Sequence, residues 1–236
     1  MSNSYSPTWF ELFLRNYSQV QTEQEIAFLV RQLPRSTYRN VLDICCGYGR
    51  HALALAALGY VVTGIDRDAV AIAQARERTR GDARFLEADM RDLAALDRTY
   101  DAAINLWQSF GYFDPSTNSA VLKGIYERLN PSGRLILDIY HRDFFAAHAG
   151  TRTFECKGRH IVETKTMAGN RLVVSLDYDA DGARDVFDWQ LYTPDELCAL
   201  ADEIGFQPLV VCANFDEAQP ATADIPRMQL VLEKRP

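Results

Sequence analysis

Apolar residues recur at helical spacing over 7–33. Trp9, Phe10, Phe13 and Leu14 share one face, and Ile26, Phe28, Leu29 and Val30 follow before Pro34 ends the run. Asn40-Val-Leu-Asp-Ile-Cys45 reads as a short apolar strand, Gly47-Tyr-Gly49 as a turn, and the small-residue run to Leu58 as a helix stopped by Gly59. Tyr60–Ile65 predicts a second strand ending at Asp66, and 68–80 a helix capped by Asp68. Strands follow over 83–87 and 101–105. A helix from Ser116 or Asn118 to about Leu129 is closed by Asn130-Pro131, and Arg134–Asp138 is a fifth strand. Continuous apolar strands alternating with helices are buried on both faces. They predict an α/β fold, a doubly wound and mostly parallel sheet.

The period changes after residue 150. His160–Met167 and the stretch from Arg171 alternate with a period near two, with Ala168-Gly-Asn170 and Asp181-Gly182 as turns. This predicts an antiparallel meander of three or four strands inserted after the fifth strand. Thr193-Pro-Asp-Glu196 is a capping box with proline at the first helical position, opening a helix that stops at Gly205. Residues 206–212 and 228–233 read as two closing strands. The expected organisation is a helical cap over 1–37, a core over 38–150, an antiparallel β lid over 151–192 and a completion of the core over 193–236.

Composition narrows the function classes. The 236 residues are 47% hydrophobic and 24% charged, a globular balance. Acids outnumber bases 32 to 25, for a formal charge of −7, which disfavours tight non-specific binding to nucleic acid. No apolar run approaches the roughly 20 residues of a membrane span, and the start carries no secretory pattern. Cys45, Cys46, Cys156, Cys198 and Cys212 form no C-x-x-C pair. The four histidines form no metal-binding spacing. The expectation is a cytoplasmic protein with reduced thiols and no metal.

Chemistry concentrates in Asp43-Ile-Cys-Cys-Gly-Tyr-Gly49, between a strand and a helix. Glycines there let a ligand approach the backbone, and the helix start offers free N–H groups. Gly47-x-Gly49-x-x-Ala52 satisfies a loose dinucleotide fingerprint, and Asp66 is placed to accept from two ribose hydroxyls. Asp43 separates the candidates. A carboxylate ahead of the glycines repels a pyrophosphate and favours a ligand bearing an ammonium and a sulfonium.

With these motifs in order, residues 38–139 resemble the class I S-adenosylmethionine-dependent methyltransferases of small-molecule type. Val41-Leu-Asp-Ile-Cys-Cys-Gly-Tyr-Gly-Arg-His resembles the family's first motif, with Cys45 in the first glycine's place. Val62-Thr-Gly-Ile-Asp66 resembles its ribose-binding strand, Phe85-Leu-Glu-Ala-Asp89-Met90 its adenine-reading segment, and Asp101–Asn105 its fourth strand. Leu129-Asn-Pro-Ser-Gly-Arg-Leu resembles the turn into its fifth strand. The resemblance implies a Rossmann-like seven-stranded sheet whose last strand is antiparallel and lies between strands five and six. It implies S-adenosyl-L-methionine as methyl donor, with S-adenosyl-L-homocysteine as product.

The cofactor-binding candidates are Tyr17, Asp43, Cys45, Gly47, Gly49, Arg50, Asp66, Arg67, Asp89, Met90, Asn105 and Leu106. Arg50 is the candidate partner of the cofactor's carboxylate. Candidate acceptor-binding residues are Trp9, Trp107, Tyr112 and Tyr140, and His141 and Tyr112 are candidate catalytic groups. Asn105-Leu-Trp-Gln lacks the Asp/Asn-Pro-Pro-aromatic motif of enzymes acting on amide or adenine nitrogen, and no Pro-Cys pair of cytosine-C5 enzymes is present. The acceptor expected is a small molecule methylated on N or O. Two rival readings stay open here: an NAD-linked oxidoreductase, resting on the glycines and Asp66, and a non-catalytic cofactor-binding partner protein.

Overall fold

The structure, a computed structural model, describes residues 6–14, 18–79, 81–178 and 182–235. The chain opens with α1 (Pro7–Trp9), which runs into a π-helical turn (Phe10–Leu14). There follow α2 (Gln19–Gln32), β1 (Asn40–Ile44), α3 (Arg50–Ala57), β2 (Val61–Asp66), α4 (Ala69–Glu77), β3 (Ala83–Glu87) and, after a 3-10 turn (Leu93–Ala95), β4 (Tyr100–Asn105). Next come α5 (Pro115–Arg128), β5 (Leu129–Tyr140), α6 (Arg142–Ala147), β6 (Gly150–Cys156), β7 (Arg159–Ala168), β8 (Arg171–Tyr178) and β9 (Arg184–Gln190). The chain closes with α7 (Pro194–Ile204), β10 (Phe206–Cys212) and β11 (Arg227–Lys234).

The main sheet has seven strands in the order β10-β11-β5-β4-β1-β2-β3. β11 is antiparallel to both of its neighbours, β10 and β5. The β1–β2, β2–β3, β1–β4 and β4–β5 pairs are parallel. This is the Rossmann-like order that the resemblance implies. Side chains alternate along each strand, so β1 sends Val41 to one face and Leu42 to the other. Val41 belongs to the apolar cluster that holds Phe28, Leu29, Leu55 and Ile72, and Leu42 to the one on the opposite face that holds Ile65, Leu122, Ile125 and Leu230. Both faces of the sheet are therefore buried beneath helices, as its continuous apolar strands require.

The helix ends follow from local chemistry. Asp68 accepts from the backbone N–H groups of Val70 and Ala71, and Thr193 and Glu196 complete a capping box on α7. α5 begins at Pro115 rather than at 116 or 118, because Asp114 caps it through Thr117 N and proline suits the first turn. β5 begins at Leu129 rather than 134. Leu129 pairs with Tyr100, and a register shift then carries the chain to Arg134 opposite Ala102. α6 was not predicted; six residues are too few to display a period.

A second, four-stranded antiparallel sheet has the order β6-β7-β8-β9. Its inner face carries Ile161, Leu172, Val174, Leu176, Phe187 and Trp189, packed with Leu12 and Phe145. The N-terminal run thus divides. α2 docks on the main sheet through Phe28, Leu29 and Leu33, whereas the segment before it docks on the second sheet. Trp9 meets Phe187 with ring centroids 5.9 Å apart, and Ser6 Oγ donates to Asp185 Oδ2 at 2.7 Å. The loop after β4 joins the two sheets. Gly111 O accepts from Gln190 N at 2.8 Å, and a Cβ at Gly111 would lie 2.3 Å from Gln190 O. Residues 179–181, with Asp181 of the predicted turn, lie outside the described residues. No described helix is long and apolar enough to cross a membrane.

Candidate active site

Strand order reverses beside β1, whose neighbours are β4 and β2, and ligand crevices in open α/β sheets form at such a point. A cleft of about 730 Å³ opens there. Of the residues predicted from sequence, Trp9, Asp43, Cys45, Gly47, Arg50, Asp66, Arg67, Asp89, Met90, Leu106, Trp107 and Tyr112 line it.

Asp66, at the end of β2, accepts from Gly47 N and from Asp68 N, each at 2.9 Å. It therefore ties the glycine turn to the start of α4 while presenting its carboxylate to the cleft. Burial raises its pKa against those backbone N–H bonds. Asp43, near the end of β1, is 2% exposed, and its Oδ2 has no hydrogen-bond partner. Desolvation pushes its pKa up to about 7, against the pull of the Ala52 N–H and the Arg50 charge. A buried, half-satisfied carboxylate of this kind is costly unless a cation or donor arrives. Asp89 behaves differently. Its two oxygens take a fork from Arg91 Nε and Nη2 at 2.9 and 2.7 Å, which holds its pKa below the usual range.

Several sequence expectations need correction. Gly49 does not line the cleft. It caps α3 at φ 77°, and a Cβ there would stand 2.6 Å from Phe85 Cζ, so its glycine serves packing and backbone shape. Asn105 is buried behind the cleft, its amide donating to Ile44 O at 3.0 Å across the β1–β4 junction. Tyr140 and His141 also fall outside the cleft lining. β5 continues to Tyr140, which turns beneath the second sheet and packs on Phe145 and Trp189. His141 caps α6, is 4% exposed, and is lowered in pKa by desolvation. It stands away from the cleft and is not placed as its base. Tyr17 lies outside the described residues.

Sequence reasoning missed Glu25. It lies on α2 at helical spacing with Phe28 and Leu29, an acid on an apolar face, and that was the available signal. It is 0% exposed and binds Arg50, His51 and Trp107. His51 and Ser109 also line the cleft, as do Cys46, Gln74, Arg78 and Phe113. Three acids, Asp43, Asp66 and Asp89, and four aromatic residues, Trp9, Trp107, Tyr112 and Phe113, share its lining.

A family model described as a methyltransferase domain matches residues 41–133, the span from β1 through the turn into β5. Over that span the chain is a methyltransferase domain. A glycine/sarcosine N-methyltransferase of Aphanothece halophytica is 24% identical to this chain over 237 residues, covering 92% of it and 86% of the relative. Among solved structures, an S-adenosylmethionine-dependent methyltransferase from Clostridium acetobutylicum superposes with a TM-score of 0.81 at 13% identity, over 97% of both chains. The amino pentose methyltransferase CalS10 of Micromonospora echinaspora, solved with SAM bound, gives 0.72 at 20% identity over 99% of both. At these identities the structural likenesses establish the fold of this chain, second sheet included.

Proposed function

We propose that the cleft binds S-adenosyl-L-methionine and that the enzyme passes its methyl group to nitrogen or oxygen of a small molecule. The observation that carries this reading is Asp43 Oδ2, a buried carboxylate oxygen with no partner, on a residue that lines the cleft. The residues present fit the donor. The ammonium of its methionine end suits Asp43, and its ribose diol suits Asp66, whose oxygens each keep a lone pair beyond the Gly47 and Asp68 N–H bonds. Met90, Ala88 and Leu106 offer apolar surface for an adenine beside Asp89. A dinucleotide fits less well, because its diphosphate would face Asp43 and Asp66 together.

Bound S-adenosylmethionine supplies an electrophilic methyl on a good leaving group. The protein's task is then alignment, which contributes about 7–11 kcal/mol to such displacements. Leu106, Trp107, Ser109 and Tyr112 leave β4 at the edge where donor and acceptor meet, and Trp9 closes the same space from the second sheet. These rings favour a compact acceptor and the positive charge that builds on a methylated amine. The likeness to a glycine/sarcosine N-methyltransferase and to an amino pentose methyltransferase supports a small acceptor.

The test is a thermal-shift and calorimetric comparison of S-adenosylhomocysteine with NAD. The homocysteine product should raise the melting temperature and bind at one site per chain, and NAD should do neither. Stabilisation by NAD alone would overturn the reading. Turnover against a panel of amines, amino acids and phenols would then separate an enzyme from a cofactor-binding partner protein.

A further inference from the structure

Behind the cleft wall stands a buried acid with both carboxylate oxygens paired. Glu25 Oε2 accepts from Arg50 Nη1 at 2.5 Å and from His51 Nε2 at 2.7 Å, and Oε1 accepts from Trp107 Nε1 at 2.9 Å. Arg50 Nη1 also donates to Thr22 Oγ1 on α2 at 2.9 Å. The donors come from two separate places, the first turn of α3 and the loop after β4. All three side chains line the cleft, and Glu25 stands behind them.

Trp107 is fixed from several sides at once. The Arg50 guanidinium lies 5.2 Å from its ring centroid and that of Arg227 4.8 Å from it. Its backbone N–H donates to Asp138 Oδ2 at 3.0 Å, and its φ of 65° lies in the left-handed region, which a tryptophan rarely adopts. Strain of that kind persists only where surrounding contacts over-determine it. Glu25 supplies the contact at the indole end.

We propose that Glu25 is a positioning residue, holding Arg50, His51 and Trp107 as one rigid unit so that docking of α2 shapes the cleft for its cofactor. This rests on the reading that the cleft binds S-adenosylmethionine. Glu25 is ionised, its hydrogen bonds and nearby charges outweighing its burial, and burial lowers the pKa of His51. A carboxylate accepting from a neutral imidazole fixes the tautomer, with the proton on Nε2 and the lone pair on Nδ1. Arg50 also lies close enough to act on Asp43 electrostatically. Glu25 thus anchors a cation that could otherwise swing toward the Asp43 carboxylate and compete with the ammonium of the ligand.

The experiment measures S-adenosylhomocysteine binding by calorimetry for the wild type, Glu25→Gln, Trp107→Phe and the double variant. A glutamine cannot accept from three donors without turning its amide toward one. With the amide oxygen in the place of Oε2, Arg50 and His51 keep their acceptor, and the NH₂ faces the Trp107 Nε1–H, donor against donor. Glu25→Gln should weaken binding about tenfold or more and shift the Trp107 indole N–H resonance in ¹⁵N NMR. Trp107→Phe should weaken binding severalfold, and the double variant should be less than twofold weaker than Glu25→Gln alone, since both changes act through one unit. Glu25→Gln that folds and binds within twofold of the wild type, with the Trp107 indole resonance unmoved, overturns the proposal. Should Glu25→Gln fail to fold, Trp107→Phe carries the test, and unchanged affinity there overturns it. A wild type that does not bind S-adenosylhomocysteine overturns the cofactor reading and the coupling together, which is a distinguishable result.

Discussion

Replacing Asp43 by asparagine should stabilise the ligand-free protein while weakening it as a binder. Asp43 is fully desolvated in the folded chain, and its pKa stands at about 7 against an ordinary 3.8. Between those values the folded state holds a proton that the unfolded state has released, so stability falls as pH rises through that window. Above about 7 the loss is complete. At about 1.4 kcal/mol per pH unit, that rise caps the penalty at ~4 kcal/mol. Asp43→Asn removes the charge and keeps the shape. At about pH 8 its melting temperature should exceed the wild type's by on the order of 10 °C for a chain of this length. The gain should shrink steadily as the pH is lowered toward about 4. Binding runs the other way. The ammonium of the ligand selects the ionised carboxylate, so the proton must leave, and wild-type affinity for S-adenosylhomocysteine should fall up to about tenfold per pH unit below about 7. The asparagine variant should bind more weakly and lose that slope. Differential scanning fluorimetry and calorimetry from about pH 5.5 to 8.5 give both quantities. The reasoning is refuted by a variant no more stable than the wild type at pH 8, or by wild-type affinity flat below pH 7.

Three further perturbations test the surrounding structure. Asp66→Ala removes the acceptor for Gly47 N and Asp68 N as well as the ribose partner, so S-adenosylhomocysteine affinity should drop at least about tenfold, read by calorimetry. Gly49→Ala forces a side chain into a positive-φ cap and against Phe85, and should cost about 2 kcal/mol or more in chemical denaturation. Asp138→Ala strips the buried partner of Arg227 and the acceptor of Trp107 N. A loss of about 3 kcal/mol in stability is expected, and Asp138→Asn should recover part of it.

The main sheet was legible because its signal is local. Each strand is an apolar run bounded by turn chemistry, and Asp43 and Asp66 sit at strand ends, where the period alone places them on one edge. Asp89 and Met90 follow by the same logic. What failed depends on contacts distant in sequence. Glu25 meets its partners across 25, 26 and 82 residues, and nothing in its own neighbourhood records them. Tyr140 and His141 were expected at the reacting edge because β5 was ended at Asp138. The strand runs two residues further, and the chain then bends under the second sheet, where a parallel bridge ties His141 to Tyr192. Asn105 was read as a ligand-facing strand end, yet its amide is used inside the sheet.

The acids and the aromatic residues of the cleft lining answer to different parts of the fold. Asp43 and Asp66 are built into the parallel strands, where a shift of one residue would turn them to another face. Trp9 and Tyr112 instead answer to the second sheet, Trp9 through Phe187 and Tyr112 through Trp189, whose ring lies 6.1 Å away. Gly111 fastens the intervening loop to the same strand, β9, through Gln190. Substitutions in β9 should therefore act on Trp9 and Tyr112 and leave Asp43 and Asp66 in place. On the proposed reading, acceptor choice can then change while donor affinity holds. Trp107 is the exception, because Arg50 lies over its ring and also acts on Asp43, so its substitution should alter both.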